Sequence, residues 1–517
     1  MAPSAPAPTM EEEEEEEEQF GEDRFVPSHH PSAPPDELFD ISTTVDPSYV
    51  ISLIRKLLPT DAKNGDNVEF QGSHCNEVES SSNDKCKSME IVDDFSKSDF
   101  HGEDEEDSSR GGGNARLLAG EEVWEECGCV LWDLAANQTH AELMVQNLVL
   151  EVLLANLMVT QSVRVTEICL GIMGNLACHE VPMKHIVSTN GLIPAIVDQL
   201  FLDDTQCLCE AFRLLSSGLQ GGECIIWAEA VQSEHILSRI LWVAENALNP
   251  QLIEKCVGLL LAMLESQKEV VHILLSPLMK LGLANVLLNL LAFEMSKLMK
   301  ERIPERFSVL DVILRALEGL CVIDGYSHEI CSHKEFFHLV CELIKFPDKV
   351  EVSNSCVTAG VIIANILSDV SDLASDISHD LHFLQGLFDI FPFTSDDLEA
   401  RSALWSILAR LLVRVQEDEM DASDLRQYVL ILLSKSDLIE DDLFDHQFDE
   451  NKENESLTAS DRRSNARSLA QQLKRIINIL NKWNALKDTV EEKYMMEEDA
   501  NDEDIHRLLD LCCKYIA

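Results

Sequence analysis

The segments EICLGIMGNLAC, Glu167–Cys178, and GLIPAIV, Gly191–Val197, decide the fold of this 517-residue chain. In the first segment apolar residues recur at steps of three and four, which is the spacing of one helical face. The second segment begins with glycine and carries Pro194 in its first turn, where the missing N–H of proline costs no hydrogen bond. The first segment predicts a long apolar helix and the second predicts the start of another helix, within a recurring triplet of a short helix, a second helix, a turn and a long apolar helix.

The same arrangement returns along the chain at a nearly constant interval. The last apolar anchors of the long helices are Leu134, Leu176, Leu219, Leu264, Leu320, Leu367 and Leu412. Successive anchors are 42, 43, 45, 56, 47 and 45 residues apart, and most of these steps match the roughly 40–47-residue period of armadillo and HEAT repeats. The long step contains Pro304 and several charges, and predicts an elongated helix or loop. An irregular helical bundle is the alternative, but it does not explain the glycine-led helix start.

Composition excludes some classes of partner. The chain has 93 Asp+Glu and 40 Lys+Arg, a formal net charge of −53, while 45% of its residues are hydrophobic and only 6% aromatic. So negative a chain is repelled by nucleic-acid phosphates and by anionic membrane surfaces. We therefore expect neither nucleic acid nor membrane as a partner. The sequence predicts an all-α armadillo/HEAT-like helical repeat solenoid with a disordered acidic N-terminal arm.

Three regions are predicted. Residues 1–120 are expected to form a mostly disordered acidic arm, because their composition cannot bury enough apolar area to offset the entropy of ordering. Its run Glu11–Glu18 is interpreted as a solvated tail, with a dock for a basic partner as the alternative. Residues 121–416 are expected to form the repeats. Residues 417–517 are expected to form a helical extension that contains an acidic linker at 437–455.

The expected compartment is intracellular, in the nucleus, the cytoplasm or both. The start of the chain lacks the basic and apolar segments of a secretory signal, and no apolar run approaches the ~18 residues of a membrane span. The 16 cysteines are scattered, as in reduced proteins, where cysteine behaves as a small buried hydrophobe. Burial is predicted for those within apolar helical patterns, namely Cys169, Cys178, Cys256, Cys321, Cys341 and Cys356.

Two segments carry a family resemblance. LWDLA, Leu131–Ala135, and EICLGIMGNLAC, Glu167–Cys178, resemble the serum amyloid A-like (Saal) family of armadillo-type proteins. The resemblance covers roughly residues 30–290 and extends more weakly along the repeats. It implies a non-enzymatic helical repeat protein, associated with cell proliferation and usually placed in the nucleus. It supplies no catalytic residues.

The sequence carries no enzyme signature. No G-x4-G-K-[ST] loop is present, and His333 and His338 are not at the i, i+4 spacing of two zinc ligands on one helix. We therefore expect no catalytic residue, no metal site and no cofactor. The predicted role is a protein–protein interaction scaffold; an adaptor that recognises basic peptide segments is the main alternative, and an enzyme of unfamiliar type is the third.

Residues 46–58 predict a short amphipathic helix outside the repeats. Asp46 is a good N-cap, Pro47 suits the first helical position, and Pro59 ends the helix. A helix of this length is marginal alone, so it is expected to dock. It either caps the solenoid of its own chain or enters a groove of another protein. Its apolar face supplies candidate partner-binding residues, which are Val50, Leu53, Ile54, Leu57 and Leu58.

Two asparagines on the long helices are further candidates for partner binding. Armadillo proteins that hold extended peptides often use an asparagine ladder with tryptophan one turn earlier. Asn175 and Asn365 occupy plausible positions, but Gly171 and Val361 stand where tryptophan is expected. The ladder is therefore not reproduced, and basic or extended peptides remain candidate partners on charge and architecture alone.

The most basic stretch of the chain is the predicted helix 461–482. It is either a last solenoid helix whose basic face pairs with the acidic repeats, or a patch for nuclear targeting or partner docking. The sequence leaves both alternatives open.

Overall fold

The computed structural model describes residues 45–59, 111–415, 420–441, 459–487 and 502–516, and within these ranges every regular element is helical. The side chains of 111–121 and 459–470 are not among those described. The α-helices are α1 Pro47–Lys56, α2 Gly111–Ala135, α3 Gln138–Gln146, α4 Val149–Val159, α5 Val163–Leu176, α6 Glu180–Ser188, α7 Leu192–Asp198, α8 Thr205–Gln220, α9 Cys224–Val231, α10 Glu234–Asn246, α11 Pro250–Glu265, α12 Lys268–Lys280, α13 Leu283–Lys300, α14 Phe307–Val322, α15 Ser327–Cys331, α16 Lys334–Ile344, α17 Ser353–Asp369, α18 Ala374–Ile377, α19 Leu381–Phe388, α20 Leu398–Arg414, α21 Ala422–Ser434, α22 436–441, α23 Ala459–Leu486 and α24 Asp502–Ile516.

The helices stack as repeating triplets. The third helices form one continuous row, in which α2, α5, α8, α11, α14, α17, α20 and α23 each contact the next. The second helices form a parallel row through α4, α7, α10, α13, α16, α19 and α21, in which α7 reaches α10 through its 3₁₀ extension Gln199–Phe201. Each triplet buries its apolar faces against its neighbours. The predicted all-α armadillo-like solenoid is confirmed.

Local sequence explains where these helices begin. Gly191 and Gly282 precede α7 and α13 at φ 80° and 96°, a left-handed backbone that glycine adopts without steric cost. The third helices α5 and α8 begin instead on capping side chains. Ser162 Oγ accepts from Val165 N at 3.4 Å, and Asp204 Oδ1 accepts from the first amides of α8. Neither kind of start is common to every repeat, because the second helix α10 begins on the Ser233 cap and the third helices α14 and α17 have no side-chain cap.

The long 56-residue step corresponds to an elongated second helix. Helix α13 has 18 residues and is followed by the 3₁₀ turn Pro304–Arg306. The extra length is held by a buried ion pair in which Arg306 Nη1 lies 2.5 Å from Glu294 Oε1. Burial raises the pKa of Glu294, and the Arg306 guanidinium offsets part of that effect.

Separate helices cover the two ends of the stack. Helix α1, which begins one residue after its N-cap Asp46, packs on α2 and α3. Helix α24 packs on α21 and α23. Terminal capping of this kind removes the apolar end faces that a solenoid otherwise exposes.

The observed boundaries differ from the expected ones at both ends. Helix α2 already begins at Gly111, and α21 and α23 continue the second- and third-helix rows beyond residue 416. The basic helix is therefore the eighth member of the third-helix row. The first residues of the expected linker, 437–441, are helical. The predictions for residues 1–44 and 60–110 and for the rest of that linker lie outside the described residues.

Most of the cysteines predicted to be buried are buried. Cys169, Cys256, Cys321, Cys341 and Cys356 lie in the core. The prediction was wrong for Cys178, which is exposed because α5 ends two residues earlier.

No single helix in the described ranges combines the length and the apolar composition needed to cross a membrane. Three helix pairs, each sharply bent at a short break, reach that length and composition together.

Candidate protein-binding surface

The third helices leave one common face uncovered. Each is flanked by other third helices and backed by the shorter helices of its triplet, so its remaining side chains point away from the core. We call this surface the third-helix face. Its polar residues on α5 to α14 include Glu167, Asn175, Glu210, Arg213, Glu254, Lys255, Asp311, Arg315 and Glu318.

Asn175 bridges three third helices. Its Nδ2 donates to the Trp132 carbonyl of α2 at 2.9 Å, and its Oδ1 accepts from Arg213 Nη1 of α8 at 3.0 Å. Both ends of the amide are therefore engaged within the chain. A partner peptide that binds at Asn175 has to share or displace these bonds.

The glycines of GIMG allow close approach at this junction. A Cβ on Gly171 would lie 2.1 Å from the Trp132 ring, and one on Gly174 would lie 2.5 Å from Arg213 Nη2. The space is used by Arg213, which donates to the Gly171 carbonyl at 3.1 Å and pairs with Glu210 Oε2 at 2.6 Å. The segment Glu167–Cys178 thus also leaves the space that the Trp132 indole and the Arg213 guanidinium occupy.

The next junction joins α11 to α14 through a carboxylate. Ser308 Oγ donates to Glu254 Oε2 at 2.7 Å, and Lys255 Nζ lies 2.9 Å from Glu254 Oε1. Burial raises the pKa of Glu254, but the hydrogen bonds from Ser308 and Lys255 outweigh it and leave that pKa below its ordinary value. Glu254 is therefore a compensated negative charge.

Two carboxylates on α14 lack such compensation. Asp311 and Glu318 lie one turn on either side of Arg315, whose Nη2 pairs instead with Glu265 Oε1 at 2.9 Å. Neither carboxylate forms an ion pair in the described part of the chain, and Asp311 Oδ1 is buried without a hydrogen bond. Burial raises the pKa of both, and the charge of Arg315 offsets part of the effect. They form an acidic group on the third-helix face that has no ion-pair partner within the described residues.

The second candidate asparagine stands apart from the first. Asn365 is half-buried on α17, with α8, α11 and α14 between it and Asn175 in the row. Within the described residues no hydrogen bond to its side chain is present. The two asparagines share the third-helix face but not one site.

The α1 candidates are placed against the solenoid. Val50, Leu53, Ile54 and Leu57 are buried, whereas Leu58 is 37% exposed. The Leu57 carbonyl accepts from Trp124 Nε1 at 3.1 Å and from Asn156 Nδ2 at 2.7 Å. The structure therefore places this helix as a cap on its own chain. A role in binding a partner stays a prediction.

Sequence reasoning missed Arg213, Asp311 and Glu318. The three-residue spacing of Glu210 and Arg213 and the four-residue spacing of Asp311 and Arg315 were visible signals of charged pairs on one helical face. Their partners on neighbouring helices were not visible. Within the described ranges, no three His, Cys, Asp or Glu side chains are grouped so as to hold a metal ion.

The fold defines the chain as an armadillo-like helical repeat solenoid, and comparison with known proteins identifies distant homologues. Protein saal1 of Danio rerio is 27% identical over 234 residues, which cover 43% of this chain and 48% of that protein. Protein SAAL1 of Homo sapiens is 28% identical over 130 residues, which cover 25% and 27%. The chain thus spans about half the length, or less, of the curated relatives it matches. No protein-family model matches it.

Several solved structures resemble the chain at low identity. The crystal structure of an engineered protein aligns with a TM-score of 0.46 and 15% identity, over 76% of this chain and 85% of that one. A computationally designed armadillo repeat protein for modular peptide recognition gives 0.37 and 14%, over 46% and 92%. A designed armadillo repeat protein in complex with the peptide (KR)4 gives 0.38 and 13%, over 47% and 94%.

Proposed function

We propose that the chain is a non-enzymatic scaffold that binds other proteins along its third-helix face. The continuous row of eight third helices supports this role, because it offers a long surface whose backbone is held by contacts between repeats. The chain gains stability from these contacts independently of what the exposed side chains do. The face is therefore suited to extended contact with a partner segment.

The partner segment is proposed to be basic. The observation that carries this proposal is the pair Asp311 and Glu318, two partly buried carboxylates without an ion-pair partner among the described residues. A lysine or arginine of a partner supplies the missing charge and hydrogen bonds, and bonds to charged groups are stronger than neutral ones. The excess of acidic residues over the whole chain adds a long-range attraction.

Binding of a labelled Lys/Arg-rich peptide, followed by fluorescence anisotropy, tests this role. The double variant Asp311→Asn, Glu318→Gln is expected to weaken binding about tenfold, since it removes two charge-assisted contacts. The matched control Glu151→Gln, Glu269→Gln makes the same charge change at exposed positions of α4 and α12 and is expected to change affinity less than about twofold. Equal losses in both variants would show general charge attraction rather than a site on α14.

Salt dependence separates the scaffold from the alternative adaptor for basic cargo segments. Exposed charge attraction is screened over about 10 Å at 0.1 M salt, so an adaptor loses its cargo as salt rises. A scaffold whose basic partner pairs with the partly buried Asp311 and Glu318 keeps more of its affinity, because partly buried charge pairs are screened much less than exposed ones. Capture of partners from cell extract at low and high salt, with identification of the retained proteins, distinguishes the two. The nuclear or cytoplasmic location and the link to cell proliferation implied by the family resemblance stay predictions.

A further inference from the structure

A cleft that is lined by arginines rather than by carboxylates lies between α20 and α23. It has a volume of about 280 Å³ and lies at the C-terminal end of the third-helix face. Its lining mixes apolar and polar side chains and contains no carboxylate: Ser406, Ala409, Arg410, Val413, Arg414, Gln471 and Gln472.

Arg410 is fixed in this cleft by neutral acceptors. Its Nη1 donates to the Leu367 carbonyl at 3.1 Å and its Nη2 to Ser368 Oγ at 3.0 Å. Its Nε is buried and has no hydrogen-bond partner. The guanidinium is thus held in place while part of its donor capacity is unused.

Arg414 repeats the arrangement one turn further along α20. Its Nη2 donates to the Ser371 carbonyl at 2.5 Å and its Nη1 to the Arg410 carbonyl at 3.4 Å. Neither Arg410 nor Arg414 forms an ion pair within the described part of the chain. Other arginines of the face do, as Arg213 does with Glu210 and Arg315 with Glu265.

Carbonyl and hydroxyl acceptors orient these guanidinium groups but do not cancel their charge. Two fixed positive charges therefore stand side by side in a chain whose formal net charge is −53. Lys474 is exposed one turn along α23 from Gln471 and adds to the positive potential. Such a cluster without a carboxylate is the arrangement that recognises planar or tetrahedral oxyanions.

We propose that this cleft binds an oxyanion carried by a partner peptide, either a phosphate monoester or a side-chain carboxylate. Arg410 and Arg414 supply the charge, and the amide of Gln471, which lines the cleft, supplies a neutral donor. The site is separate from the acidic group on α14, so it does not depend on the proposed basic partner.

Three labelled decapeptides of one neutral sequence test the proposal by anisotropy. Their central residue is serine, phosphoserine or glutamate. Binding of the phosphoserine or the glutamate peptide at least about tenfold tighter than the serine peptide is expected, and their order tells which oxyanion the cleft prefers. Equal affinity for all three peptides would overturn the proposal.

The first variant blocks the cleft without removing an existing hydrogen bond. Val413 is 46% exposed, so Val413→Glu is tolerated by packing and places a carboxylate beside Arg410 and Arg414. It is expected to abolish the preference for the charged peptides. Val181→Glu, at a 42% exposed valine of α6, is the matched control and is expected to retain it. Retention in Val413→Glu would contradict the assignment.

The second variant removes the charge itself. The double variant Arg410→Gln, Arg414→Gln is expected to weaken binding of the two charged peptides by about tenfold or more and to leave binding of the serine peptide unchanged. The control is Arg164→Gln, at an arginine already paired with Glu167 at 2.7 Å. It is expected to change the affinity of none of the three peptides. Circular dichroism checks that each variant is folded. The double variant on α14 is expected to leave oxyanion binding intact, which separates failure of this proposal from failure of the proposed function.

Discussion

Arg213 in the α2–α5–α8 region and Arg410 in the α17–α20–α23 region both reach back to the preceding third helix, but they end on different partners. Arg213 meets Glu210 and Asn175, so its charge is balanced inside the chain. Arg410 meets the Leu367 carbonyl and the Ser368 hydroxyl and keeps its charge. In both regions an arginine bonds one repeat to the one before it. In the first region its charge is paired within the chain, whereas in the second its charge remains available to an anion.

Helix α1 packs on α2 and α3 at the start of the first region, and the adjacent residues Leu57 and Leu58 offer a matched test of that docking. Leu57 is fully buried and Leu58 is 37% exposed. Leu57→Ala is expected to lower the free energy of unfolding by about 3 kcal/mol, because a buried leucine truncated to alanine loses transfer energy and leaves a cavity. Leu58→Ala is expected to cost less than about 1 kcal/mol. Urea unfolding followed by circular dichroism measures both.

An equal and small effect of the two substitutions would mean that α1 is not docked in solution. Its apolar residues Val50, Leu53 and Ile54 would then be available to another protein, which is the second alternative that the sequence left open.

The glycine contacts of the first region give a smaller expected effect. Gly171→Ala forces a methyl group into the Trp132 ring, 2.1 Å from where its Cβ would lie, and overpacking of this kind costs about 2 kcal/mol. Gly258 of α11 is the control, because a Cβ there meets nothing within 4 Å. Gly258→Ala is expected to stabilise the chain by about 0.5–1 kcal/mol through helix propensity.

Thermal unfolding of the two glycine variants is the measurement. Opposite shifts of Tm are expected. A stabilised Gly171→Ala variant would show that the Trp132 indole, which is only half-buried, moves aside freely and does not hold the α2–α5 junction.

The difference between the two regions also explains what could be predicted from sequence. The apolar spacing of EICLGIMGNLAC and the glycine-led start of GLIPAIV predicted the triplet, because both are local patterns. The role of Gly171 was not predictable, since the ring that needs its space belongs to Trp132 on another helix. The same holds for Asn175, whose amide partners lie on α2 and α8.

At the other end of the row, the repeats continue beyond residue 416, where the sequence predicted that they end. The acidic segment predicted at 437–455 interrupts the repeat, so α23 was expected in an extension and not specifically as a third helix. Arg475 of α23 donates to the Leu412 carbonyl of α20 at 3.0 Å and so helps to hold the helix in the row. That contact joins residues far apart in sequence and carries no local signature.

The smallest expected effect concerns the acidic group between the two regions. Burial raises the folded-state pKa of Asp311 above its ordinary value of 3.8. The folded chain therefore binds a proton more readily than the unfolded chain does, and the contribution of this group to stability is present at low pH and is lost as pH rises through the folded pKa. Asp311→Asn removes the titration.

Wild type and Asp311→Asn are therefore expected to converge in stability near pH 4 and to diverge toward pH 7, with the variant the more stable by less than about 1 kcal/mol. Urea midpoints across that range measure the difference, and Asp198→Asn, at an exposed position of α7, is expected to show no such divergence. If the variant instead becomes less stable than wild type as pH rises, the Asp311 carboxylate is already paired in the free protein. The proposed pairing of Asp311 with a basic partner would then fall, while a divergence with the expected sign would show that the Asp311 carboxylate is uncompensated in the free protein.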